Sequence, residues 1–138
     1  MNTLAYPVVI EEMADADFVA SFPDIPEAIT GAQTRERALM MGEDALATAI
    51  EHYLEIGRAV PLPRASDGLP LAPLDPRIAA CVLLTRAMVE QGLTKVAPAV
   101  RMRVDEKAIR VILSGRNASL NRTLDALRAV GVRPALAV

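Results

Sequence analysis

The chain has 138 residues, long enough for one domain or two small ones, and its formal net charge is only −2. Its one cysteine, Cys81, excludes an internal disulfide, and no apolar run reaches the roughly 18 to 20 residues a membrane span needs. With no cationic and apolar N-terminal signal, the reading is a cytoplasmic protein with no membrane partner.

The near-neutral total conceals two halves of opposite sign. Residues 1–76 hold 4 Lys/Arg against 13 Asp/Glu, a net of −9, while residues 77–138 hold 11 against 4, a net of +7. Such asymmetry points to two partners, one basic and one polyanionic. Between the halves, PLPRASDGLPLAPLDP at 61–76 carries half of the prolines, a density neither helix nor central strand tolerates, so it reads as a linker.

In chain order, Leu4–Ile10 and Phe18–Phe22 are runs of β-formers, with the polar stretch Glu11–Asp17 as a hairpin loop. Pro7 cannot donate to a ladder and belongs on an edge or at a strand start. After the loop SFPDIPEAIT, Ala28–Thr30 is expected as a third short strand that Gly31 breaks. A helix follows, capped by Thr34, with Leu39, Gly42, Leu46, Ala49 or Ile50, and Tyr53 on one face and Gly57 as its stop. Val60–Leu74 has room for one irregular strand. The acidic half is therefore β-β-β-α.

Glu11, Glu12, Asp15, Asp17 and Asp24 offer carboxylates, but no spacing among them enforces a metal cage. His52, the only histidine, lacks companion ligands, and neither Ser21 nor Ser66 sits in a nucleophile motif. No catalytic residue, metal or cofactor is expected.

From Asp75 the pattern is helical. Ile78, Val82, Leu83, Ala87, Met88 and Val89 mark one face, with Pro76 in the first turn and Gly92 at the end. Thr94 reads as a cap for a short helix to Met102, followed by a turn at Arg103 and a helix over about Asp105–Leu113. Gly115 ends that helix, and Ser119 caps a last one to Val130. Two short helices joined by a tight turn describe a helix-turn-helix.

The segment GLTKVAPAVRMRVDEKAIRVILSGRNASLNRTLDALRAVG resembles the Cro and Xre-type repressor domain over about 40 residues in the type and spacing of Leu93, Thr94, Ala99, Met102, Val104, Ile109, Ile112, Gly115 and Ser119-Leu120. Three departures stand out. Pro98 should shorten its helix to begin near Ala97, or kink it. Arg103 stands where a glycine is common, implying a different turn or a left-handed residue. Asp105 and Glu106 suit the helix dipole but turn negative charge toward DNA. Lys95, Arg101, Arg103, Lys107, Arg110 and Arg116 surround them and together supply the phosphate attraction. Lys107 and Arg110 are the expected base-edge contacts, Thr94, Lys95, Arg116 and Asn117 the phosphate contacts, and Arg103 is expected to bind DNA with them.

Taken whole, YPVVIEE, VASFPDIPEAITGAQT and AIEHYLEIGRAVPLP followed by a helix-turn-helix resemble the HicB antitoxins. The resemblance implies an α+β protein with a partial ribonuclease H-like domain at 1–60, the linker at 61–76 and a DNA-binding domain at 77–138. It further implies no nuclease activity, capture of a basic HicA-type ribonuclease toxin, and repression of the operon by operator binding as a homodimer or tetramer. Phe22, Pro23, Asp24, Ile25, Pro26 and Glu27 are the expected toxin-binding edge, and the apolar tail 133–138 a strand or dimer contact. Two other readings stand beside this one: a stand-alone repressor with a ligand-sensing N-terminal domain, and an active ribonuclease H-like enzyme.

Overall fold

The computed structural model describes residues 4–116 and 119–134. It has an α+β fold that divides into two compact units, the first formed by the chain up to Tyr53 with Ala59–Asp75, the second by Leu54–Arg58 with the chain from Pro76. Asn117 and the last four residues of the expected tail element lie outside the described residues.

In the first unit the run Leu4–Ile10 is two strands rather than one. β1 (Ala5–Pro7) pairs antiparallel with β5 (Leu71–Pro73), whereas β2 (Val9–Glu12) pairs with β3 (Phe18–Ser21), which pairs in turn with β4 (Ile29–Ala32). The prolines explain how β1 tolerates its partner. The Val8 amide donates to the Pro70 carbonyl and the Leu74 amide to the Leu4 carbonyl, both at 2.9 Å. Antiparallel ladders alternate bonded and non-bonded pairs, so Pro7 and Pro73 fall at positions whose N–H points away from the partner strand. The proline-rich segment thus contributes a strand to the first unit.

Gly31 continues β4, opposite Val19, and does not break it. Glu11 and Glu12 belong to β2, which leaves a shorter hairpin loop at 13–17. α1 (Arg35–Glu55) starts where expected, with Thr34 Oγ1 accepting from the Arg37 amide at 3.1 Å. Its inward face holds Ala38, Leu46, Ile50 and Tyr53. Gly42 lies on this face because a Cβ there would stand 3.3 Å from the Ala20 Cβ and 3.6 Å from the Phe22 ring. Gly42→Val, adding three carbons at that close approach, is expected to destabilise the first unit by about 2 kcal/mol, read as a lower urea midpoint at unchanged slope.

The second unit is helical. α2 (Pro76–Gln91), α3 (Val96–Met102), α4 (Glu106–Leu113) and α5 (Leu120–Ala129) enclose Leu84, Met88, Ala99, Ile109, Ile112 and Leu127. Pro76 opens α2, where an amide would have no helical partner. Ser119 caps α5, its Oγ accepting from the Arg122 amide at 3.2 Å. Cys81 is buried, its Sγ donating to the Ile112 carbonyl at 3.2 Å.

Candidate functional site

The loop 22–27 is strapped down at both acidic side chains. Arg64 Nε donates to Asp24 Oδ1 at 2.6 Å, and the Arg64 backbone amide donates to Oδ2 at 3.2 Å. Tyr53 Oη donates to Glu27 Oε1 at 2.6 Å. Phe22 and Ile25 are 2% and 0% exposed, so their side chains belong to the core, while Pro23 and Pro26 face solvent. The segment expected as a binding edge is thus not an open acidic and apolar surface. The carboxylates have partners and the large apolar groups point inward, because the adjoining strand and α1 offer them a core to enter.

The Asp24 side chain is only 6% exposed, so it depends on its bonds to Arg64. The Tyr53 hydroxyl, carried by a residue that is 1% exposed, finds a charged acceptor in Glu27. Tyr53→Phe removes one charge-assisted bond and is expected to cost the first unit about 1.5 kcal/mol in urea unfolding. An unchanged midpoint would show that the hydroxyl–carboxylate pair adds no stability.

In the second unit α3 and α4 are two short helices joined by a tight turn. Val96 opens α3, so Pro98 is its third residue and replaces an amide that would have had no intrahelical partner. The helix thus begins one residue before Ala97, close to the start expected for a helix shortened by this proline. Thr94 does not cap it by its side chain; Lys95 precedes the helix with no side-chain cap bond. In that frame the third amide, which a capping oxygen would take, belongs to Pro98 and does not exist.

Arg103 adopts the left-handed conformation, φ 58 and ψ 45. Its amide donates to the Val100 carbonyl and the Val104 amide to the Ala99 carbonyl, which is the paired closure of a Schellman turn normally built on glycine. The turn is the usual one, held by a strained arginine. Asp105 then caps α4, accepting from the Ala108 amide at 2.8 Å.

α4 is strongly two-faced. Ile109 and Ile112 are buried, while Lys107 and Arg110 are exposed, three residues apart on the outer side. Arg103 is exposed as well, and Lys95 is half-buried. Among the described residues none of these four makes an ion pair. Two other cations are committed elsewhere. Arg101 Nη1 donates to the Ala129 carbonyl at 2.7 Å, tying α3 to the end of α5. Arg116 pairs with Glu55 at 2.8 Å, and its carbonyl accepts from Arg77 Nη1. The partners of Arg101 and Arg116 lie 28 and 61 residues away in sequence and left no local signal.

Thr94 is exposed beside Lys95 at the start of α3, and Asn117 lies outside the described residues. Among the described residues no three of His, Cys, Asp and Glu gather as a metal site, and His52 is exposed on α1. No described helix is long and apolar enough to cross a membrane.

A family model for the HicB-like antitoxin of bacterial toxin-antitoxin systems matches residues 5–68. The chain is 36% identical to Antitoxin HicB 1 of Photorhabdus laumondii over 119 residues, covering 86% of this chain and 76% of that protein. It is 35% identical to Antitoxin HicB 2 of the same organism over 131 residues, covering 94% and 93%. With Antitoxin HicB of Escherichia coli K12 it shares 34% identity over 95 residues, 67% of each chain. The match to the family model falls on the unit that holds the strapped loop, and the alignment to the second Photorhabdus protein runs through α3 and α4 as well. The chain belongs to the HicB antitoxin family.

Proposed function

We propose that this protein is a two-handed antitoxin. Its first unit, read as a partial ribonuclease H-like fold, binds and blocks a small basic ribonuclease of the HicA type. Its second unit, a Cro/Xre-like domain, binds the operator of the shared operon as a homodimer or tetramer and represses it. No catalytic group is assigned to the chain.

The observation that carries the reading is α4, whose buried isoleucine face opposes exposed Lys107 and Arg110 in a helix-turn-helix closed by left-handed Arg103. Helices of this kind enter the major groove, and cations on their outer face supply the phosphate and base contacts. The net of −9 over residues 1–76 supports capture of a basic partner, since opposite charge speeds encounter. With Phe22 and Ile25 inside the core and the Asp24 side chain nearly buried, Pro23, Pro26 and Glu27 are the parts of the loop left to meet a toxin.

The test uses the full chain. It is co-expressed with the small basic protein encoded beside it, and its binding to the DNA upstream of the pair is measured by mobility shift. Rescue of growth together with a retarded band is expected. Failure to rescue removes the first assignment, and failure to shift that DNA removes the second. Mg²⁺-dependent cleavage of RNA by the purified chain alone would overturn the non-catalytic reading.

A further inference from the structure

The two acidic residues at the start of α4 do different jobs. Asp105 is extended, at φ −85 and ψ 168, and turns its carboxylate back to the Ala108 amide. That bond accounts for an acid at this position whatever the helix binds. Glu106 is the first residue of the helix, exposed, and makes no hydrogen bond or ion pair among the described residues. Arg110 is one turn further on, at the spacing that would allow an ion pair, and does not form one.

In a reading helix the N-terminal residues are the ones that reach base edges. An uncommitted carboxylate there repels the phosphates and lowers affinity for every sequence. The compensation a DNA groove offers is an exocyclic amine, and the amine suited to a carboxylate is N4 of cytosine. The neighbouring Lys107 carries the donor that suits O6 and N7 of guanine. An acid and a base side by side at the tip of α4 therefore match the donor and acceptors of a C·G pair.

We propose that Glu106 is a specificity-determining residue, accepting a hydrogen bond from a cytosine N4 amine in each half-site and rejecting guanine and thymine, whose O6 and O4 oxygens repel it. The inference rests on the operator-binding reading above. Discrimination comes as much from the repulsion as from the bond, because the acid penalises every site that lacks the amine.

The experiment is a binding selection from a randomised duplex pool with the full chain, comparing wild type, Glu106→Ala and Glu106→Gln, with thermal melts of each. Wild type is expected to enrich a site containing one invariant cytosine per half-site. Glu106→Ala should lose that preference by about 10- to 100-fold at the one position, keep the others, and bind unselected duplex more tightly. Glu106→Gln should move the preference toward adenine, whose N6 and N7 pair with a carboxamide. If Glu106→Ala enriches the same bases at every position, the proposal is overturned and Glu106 is only a stabiliser of the helix start or a general repulsive charge; a lowered melting temperature with an unchanged site identifies the first. If wild type enriches no site at all, the operator-binding reading fails and this inference with it.

Discussion

Ile109→Ala should unfold the second unit at moderate temperature while leaving the first intact. Ile109 is 0% exposed and packs in the cluster that joins α2, α3, α4 and α5. Truncating a buried isoleucine removes three carbons and leaves a cavity, at a cost of about 3 kcal/mol. α4 has only eight residues, too few to persist alone, so its stability is that of its two buried isoleucines and the Asp105 cap. A unit this small starts with few kcal/mol to lose. The readout separates the units, because both tyrosines, Tyr6 and Tyr53, lie in the first. Far-ultraviolet circular dichroism should lose helix early on heating, while tyrosine fluorescence keeps its wild-type midpoint. A joint shift of both signals would show that the units do not unfold independently.

What the sequence made legible was mostly local. The caps at Thr34 and Ser119, the glycine stop at Gly115 and the two-faced pattern of Lys107-Ala108-Ile109-Arg110 are decided within a turn or two of chain, and each lies where periodicity put it. The left-handed state of Arg103 was legible for the same reason, as one of the two outcomes that a missing glycine allowed. Pairings across the chain were not. Nothing near Pro7 announces Leu71, and nothing near Asp24 announces Arg64, 40 residues on. The loop SFPDIPEAIT shows the consequence. Composition distinguishes an apolar side chain from a polar one, but not an apolar side chain turned inward from one offered to a partner, and Phe22 and Ile25 turned inward. For the same reason nothing near Arg101 announced its bond to the Ala129 carbonyl at the end of α5.

Replacing Lys107 and Arg110 together by alanine should weaken binding to the upstream DNA by roughly 150-fold at moderate salt, the effect expected when two close interactions with bases or phosphates disappear. The salt dependence decides which groups they touch. Removing one phosphate ligand lowers the slope of log affinity against log salt by about 0.9, so two phosphate ligands predict a change of about 1.8. Two base-edge ligands predict little change in slope and a relaxed sequence preference instead. Both side chains are exposed and opposite Ile109 and Ile112, so the double variant should melt with wild type. Binding of the basic toxin, assigned to the acidic unit, should be unaltered. If toxin binding fell with DNA binding while the melt stayed put, the basic face of α4 would serve both partners and the division of labour between the units would be wrong. The double variant also bears on Glu106, whose expected cytosine contact does not depend on the neighbouring cations, since among the described residues it pairs with neither of them. Adding Glu106→Ala to the double variant should weaken binding to the upstream DNA further, by loss of the cytosine contact, while tightening binding to unselected duplex, where the carboxylate is only repulsive.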